Sequence, residues 1–270
     1  MIQGHFFLNK AIPALLVGLA FFLAGCQPKT PAPVKVEPVQ TDAFHMAEEY
    51  RQAGDLEKAL VYYRQYVGTH PKDKRTPLAL KRMADIYLER DEKPKAIDVL
   101  KECAAEESAN PENFNYLGMA YYRSGNFDLA LKNYRKALEL DHNYAAVFNN
   151  IGSLYLSIFL KNKDRQAHAQ AMRNFDKAIE IDPLLFSAYN GRGAAHVYGN
   201  KIEQALSDWQ KAIEIKPDYT DPYFSMGIVY LRIGDKARAL QIFLALKEKN
   251  YSKLSPHDRE RLERLISQAK

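Results

Sequence analysis

The sequence predicts an all-α fold: an α-solenoid of about six stacked helix pairs, closed by a C-terminal capping helix. Three observations predict it. Small residues recur every 34 positions, with Ala84, Gly118 and Gly152 in one register and Gly193 and Gly227 in another. A second series keeps the same spacing, from Ala96 to Ala130 and from Ala171 through Ala205 to Ala239. Four residues behind this second marker stands an aromatic residue or leucine, at Tyr63, Leu100, Tyr134, Phe175, Trp209 and Phe243. A fixed period in the range of about 20–50 residues marks stacked supersecondary units, none of which can bury its apolar face alone.

The chain opens with a different kind of segment. Residues 11–25 read AIPALLVGLAFFLAG behind Lys10. A cation, a short apolar run and a small-residue stop read as a secretory signal peptide over residues 1–25. The run is shorter than the roughly 20 apolar residues of a comfortable membrane span. It ends in Leu23-Ala24-Gly25-Cys26, which resembles the bacterial lipobox. That resemblance implies cleavage before Cys26, diacylglycerol on its sulfur and acylation of the new amino terminus, so that the chain meets the membrane through a lipid anchor. Several acyl chains hold stably where one binds only marginally. Gln27 follows the cysteine, where an aspartate would imply inner-membrane retention in enteric bacteria. The expected location is the outer membrane, facing the periplasm. Residues 26–40 carry the lipidated Cys26 and then Pro28, Pro31, Pro33 and Pro38. Proline fixes φ and removes donors, so this stretch reads as an extended tether. It reaches about 40 Å at roughly 3.1 Å per residue.

Residues 41–253 divide into units at 40–76, 77–110, 111–144, 145–185, 186–219 and 220–253. Three residues behind the first-helix marker stands a tyrosine, at Tyr50, Tyr87, Tyr121, Tyr155 and Tyr230, with His196 in the fifth unit. Gly54, Gly125 and Gly234 sit where the first helix must stop in a left-handed residue. Pro71, Pro183 and Pro217 sit where the second helix must stop. The third unit, with Phe114, Leu117, Gly118, Tyr121, Gly125, Ala130, Tyr134 and Ala137, resembles the tetratricopeptide repeat. The resemblance implies two antiparallel helices per unit, a right-handed superhelix, and an inner groove that receives a partner protein or extended peptide. Residues 254–270 add Ser255-Pro256-His257-Asp258, an N-cap, a proline at the first helical position and an acid three residues after the serine. Leu262, Leu265 and Ile266 share one face there and predict a helix that covers the open end.

The period breaks in the fourth unit. Gly152 and Gly193 are 41 residues apart, seven more than the period. Seven residues are about two turns, or roughly 10 Å of helix axis. Both helices of that unit are expected to lengthen. Ile158, Phe159 and Leu160 then either protrude as a contact site or pack on the adjacent long helix.

The groove is expected on the residues preceding each first-helix marker. Asn115, Met119 and Tyr122 form a stripe offset from the packing stripe by roughly 110° at 100° per residue. Asn115, Asn149 and Asn190, with Asn150 beside them, are expected to form an amide ladder. Each amide carries a donor and an acceptor and can read any extended backbone. The alternative is that these asparagines cap or link neighbouring helices. Lys81, Arg82, Tyr116, Tyr122, Tyr198 and Phe224 complete the expected lining. Some tetratricopeptide proteins hold a partner's C-terminal carboxylate with two lysines, two asparagines and an arginine. Lys81 and Arg82 begin such a set, but Asp85, Tyr116 and Ala146 stand where it needs asparagine, asparagine and lysine.

Catalysis finds no support. No phosphate-binding loop, nucleophile elbow or paired-histidine zinc motif appears. No cofactor and no metal are implied. His168 has no second ligand in view, and His196 and Cys103 read as core residues. A formal charge of +5 from 38 basic and 33 acidic residues is too balanced to suggest a nucleic-acid partner. The expected function is a membrane-anchored interaction adaptor or assembly factor of the bacterial cell envelope, whose partners are envelope proteins or peptides. The alternative is an accessory, substrate-presenting subunit of an envelope enzyme or glycan-processing system.

Overall fold

A computed structural model describes residues 42–270, so the signal segment, Cys26 and the tether lie outside the described residues. The described residues form thirteen α-helices and no strand. Six antiparallel pairs follow in chain order: α1 (Ala43–Gln52) with α2 (Leu56–Thr69), α3 (Thr76–Glu89) with α4 (Lys93–Glu106), α5 (Pro111–Arg123) with α6 (Phe127–Leu140), α7 (Ala145–Asn162) with α8 (Arg165–Ile181), α9 (Phe186–Tyr198) with α10 (Ile202–Ile215), and α11 (Asp221–Arg232) with α12 (Lys236–Asn250). A short 3₁₀ turn, Tyr251–Lys253, leads to α13 (Pro256–Ala269).

Local chemistry sets the helix ends. Asp55, Asn126 and Asp235 each accept a backbone N–H three residues on, at the start of α2, α6 and α12. Such caps are worth about 1 kcal/mol each. Every turn inside a pair passes through one left-handed residue. It is glycine at Gly54, Gly125 and Gly234, with φ of 80°, 79° and 83°. In the other three pairs it is Asp91, Lys163 and Asn200, with φ of 59°, 58° and 58°.

The small residues do more than let two backbones approach. At Gly118 an added Cβ would lie 2.6 Å from the Tyr134 ring, and at Gly193 2.8 Å from the indole of Trp209. In α6, α8, α10 and α12 the ring of Tyr134, Phe175, Trp209 or Phe243 fills the space that a side chain on the facing glycine would need. Phe175 is pressed from two sides, by Gly152 of its own pair and by Gly191 of the next. Tyr134, Phe175 and Phe243 are fully buried this way. From α6 to α12 the core is therefore a string of aromatic plugs.

The extra residues of the fourth unit lengthen both helices, α7 to 18 residues and α8 to 17, against 10 to 15 in the other pairs. Neither Ile158 nor Phe159 stands free on that extension. Ile158 packs on the apolar cluster around Tyr134 and Leu154. The Phe159 ring lies 5.0 Å from His168 of α8 and 5.8 Å from Tyr198 of α9. Only Leu160 of the three is exposed, at 37%. The expected protrusion is thus partly absorbed, because α8 lengthened alongside α7 and α9 offers Tyr198.

At the far end α13 buries Leu262, Ile266 and Ala269 against Phe224, Phe243 and Leu246. Arg259 fastens its start to the carbonyls of Tyr251 and Ser252, at 3.0 and 2.8 Å. No helix of the described residues is long and apolar enough to cross a membrane.

Candidate functional site

Curvature follows from which helices touch. From the third pair onward the first helices pack on one another, α5 on α7, α7 on α9 and α9 on α11, while the second helices of those pairs make no comparable contact. The first helices therefore line the shorter, inner side of the stack, and their residues form the candidate groove.

The asparagines divide into two groups there. Asn150 Nδ2 donates to Asn115 Oδ1 at 2.8 Å, and Asn115 is 6% exposed. Asn190 Nδ2 donates to the Tyr219 hydroxyl at 2.9 Å, which in turn donates to Asp221 at 3.1 Å. Burial pushes that hydroxyl above its ordinary pKa. Asn115 and Asn150 link neighbouring repeats, and Asn190 reaches the segment between α10 and α11. Asn149 differs: its residue is half-buried, and its Oδ1 has no hydrogen-bond partner.

Aromatic and apolar lining accompanies them. The Tyr122 hydroxyl lies 2.7 Å from Ser157 Oγ of the next first helix, and its ring stacks on Phe127 at 5.7 Å. Met119 is half-buried beside the Tyr134 cluster. Tyr116 is half-buried, and burial raises the pKa of its hydroxyl.

Two expected lining residues are enclosed instead. Lys81 is 7% exposed, paired with Glu112 of α5, and sits 5.6 Å over the Tyr116 ring. Its ammonium is neutralised inside the stack. Phe224 is 4% exposed, with the Arg261 guanidinium 4.6 Å above its ring. The capping helix takes the place a further repeat would occupy and covers it.

Arg82 remains in the groove and forms part of a cavity of about 430 Å³ lined by Arg51 of α1, Arg82, Asp85 and Glu89 of α3, and Arg123 of α5. The groove stripe as read from the third unit missed Arg51 and Arg123. Both occupy the last turn of a first helix, just before Gly54 and Gly125, and a basic residue recurring in that turn was the available signal.

A second polar group lies among α8, α9 and α10. Arg192 replaces the apolar residue found as Leu117 and Ile151 in earlier units. Its Nε and Nη2 donate to the two carboxylate oxygens of Asp208 at 2.9 and 2.7 Å, and Nη1 donates to Asp176 at 2.8 Å. His196 is 8% exposed, with Nε2 3.6 Å from Asp208 Oδ2 and Nδ1 buried without a partner. Desolvation by burial holds its imidazole below the ordinary value. His168 is 2.8 Å from the Ala195 carbonyl, a contact between helices. Cys103 is fully buried, 3.6 Å from the Pro77 carbonyl, and burial pushes its thiol up to about 11. A thiol so placed is protonated and inert. No group of three or more His, Cys, Asp or Glu among the described residues is arranged to hold a metal ion.

Known proteins agree with this architecture. A family model described as TPR repeat matches residues 118–158 and 195–234. A thermophilic TPR protein of Thermus thermophilus superposes with a TM-score of 0.61 at 17% identity, covering 71% of this chain and 98% of that one. The fold is a tetratricopeptide-repeat solenoid. A chain of the APC/C hetero-tetramer Cut9–Hcn1 superposes on it with a TM-score of 0.63 at 15% identity, over 84% of this chain and 42% of that one. In sequence, the solenoid is 31% identical over 150 residues to the DnaJ homolog subfamily C member 7 homolog of Dictyostelium discoideum. That match takes in 52% of this chain and 28% of the relative, so the solenoid spans little more than a quarter of that protein's length.

Proposed function

We propose that this chain is an interaction adaptor that holds an extended segment of a partner protein along its inner face, tethered to the envelope membrane through Cys26. The observation that carries the groove reading is Asn149. Its amide lies on α7, in the middle of the inner curve, half-buried beside the linked Asn115–Asn150 pair, and its oxygen has no donor. A buried acceptor without a donor costs about 1–3 kcal/mol. That oxygen is closed to solvent, so the Asn149 amide nitrogen, on the accessible side of the half-buried residue, is the group that would donate to a carbonyl of an extended segment. Tyr116, Met119 and Tyr122 offer half-buried apolar surface along the same path. The match to TPR repeats supports an interaction role, and Leu23-Ala24-Gly25-Cys26 behind an apolar run supports the anchor.

The groove is tested by selecting linear peptides from a displayed random library on the purified full-length protein, then measuring their affinity for Asn149→Ala. One lost neutral hydrogen bond weakens binding about fivefold; unchanged affinity for every selected peptide would remove the groove reading. The anchor is tested by fractionating cells that express Cys26→Ser. Release from the membrane fraction is expected, and full retention contradicts the anchor.

A further inference from the structure

The inner face changes character along the stack. At α9 the register of Met119 and Tyr122 is held by Ala194 and Val197, while α1, α3 and α5 line the charged cavity. The charges in that cavity are unequally engaged. Glu48 of α1 accepts from Arg51 Nε and Nη2 at 3.3 and 2.7 Å and from the Tyr63 hydroxyl, so Arg51 and Glu48 cancel each other. Arg82 makes no hydrogen bond among the described residues. Its Nε is buried 3.5 Å from Glu48 without bonding geometry, and its Nη1 is 4.0 Å from Asp85. Arg123 donates through Nη2 to the Leu88 carbonyl at 2.8 Å and has no ion pair among the described residues. The same cavity is lined by Asp85, whose carboxyl burial raises above its usual pKa, and by Glu89, which is exposed.

The geometry points to a recognition site for an acidic side chain of the partner segment, seated in this cavity between Arg82 and Arg123. The inference rests on the proposal that the inner face takes an extended segment, and it adds which end reads charge. Guanidinium groups present planar forks of N–H donors that match a carboxylate. Arg82 Nε is closed off against Glu48, which leaves the Nη groups of Arg82 and the unused donors of Arg123 to receive that carboxylate. This set is distinct from the C-terminal carboxylate clamp considered from sequence. Lys81, which would begin that clamp, is closed off by Glu112, whereas Arg123 comes from a position the clamp does not use.

The test uses the full-length protein and the same displayed peptide library. Selected peptides are expected to be enriched in Asp and Glu. A synthetic copy with those residues changed to Asn and Gln should bind about tenfold more weakly, the value of one charge-assisted hydrogen bond. That difference should shrink to near unity in Arg82→Gln, which removes only the long contacts to Glu48 and Asp85 among the described residues, and in Arg123→Gln. Selection of acid-free peptides, or an acid preference that survives in both variants, overturns the inference. Binding that depends on Asn149 but ignores both arginines sinks this inference alone. A library that yields no binder sinks it together with the groove.

Discussion

The Asn150 amide donates to Asn115 Oδ1 at 2.8 Å across thirty-five residues of sequence, tying α5 to α7 at the inner curve. Because Asn115 is 6% exposed, its oxygen cannot turn to water if the donor is removed. Asn150→Ala should therefore cost about 1–3 kcal/mol, read as a lower urea midpoint. Replacing both residues with leucine should cost less than the sum of the single changes, since no polar group is then stranded. Strict additivity would show that the pair is not coupled.

A second stability prediction concerns the aromatic plugs. A methyl group at Gly152 would sit 2.7 Å from the Phe175 ring, which is fully buried and pressed by Gly191 on its other side. Gly152→Ala should destabilise by about 1–3 kcal/mol through overpacking. Pairing it with Phe175→Leu should recover part of the loss. Gly125→Ala is a control of another kind: nothing lies within 4 Å, and only its φ of 79° opposes a side chain. Its cost, about 1–2 kcal/mol, should not respond to any change in the neighbouring ring. Thermal denaturation of these variants separates the two mechanisms.

Much of this architecture is legible in one dimension because the repeat is a period. Gly118 and Tyr134, or Gly193 and Trp209, keep the same sixteen-residue separation in different units, and that regularity is the packing itself. The same register sets Asp91 against Gly125 and Asn200 against Gly234, marking left-handed turns that residue type alone hides. The groove is less legible. Lys81 reads as an available cation until Glu112, thirty-one residues on, is brought beside it. Phe224 reads as lining until Arg261 of the capping helix lies over it. Both depend on which side chain arrives from the neighbouring layer, and a period that describes each unit alike does not report it.

The non-glycine left-handed residues give a stabilising prediction. Lys163 holds φ of 58° at the α7–α8 turn, and Asn200 holds the same angle at the α9–α10 turn. An L-residue other than asparagine or aspartate pays about 1–2 kcal/mol in that region. Lys163→Gly should raise the urea midpoint, and Asn200→Gly should raise it less, since asparagine tolerates the conformation. Equal or absent gains would mean that other contacts of these side chains offset the backbone term.

The fifth repeat should make stability sensitive to mild acid. His196 faces Arg192 from its own helix, Asp208 from α10, Asp176 from α8 and Lys201 at the intervening turn. Burial depresses its pKa in the folded protein, ahead of the opposing attraction of Asp208. The unfolded chain therefore takes up the proton first as pH falls. Stability from this residue is complete above about pH 6.5, the ordinary histidine value. It declines as pH drops from there to the folded pKa, and levels off below it. His196→Tyr restores the residue type found at Tyr121 and Tyr155 and removes the titrating group. Urea midpoints measured from about pH 7.5 to about pH 5.5, a window that brackets the ordinary histidine value, should fall for the native chain and stay flatter for the variant. Parallel curves would show that His196 is not the group responsible, and a rise in stability on acidification would mean that Asp208 holds the imidazolium more strongly than burial opposes it.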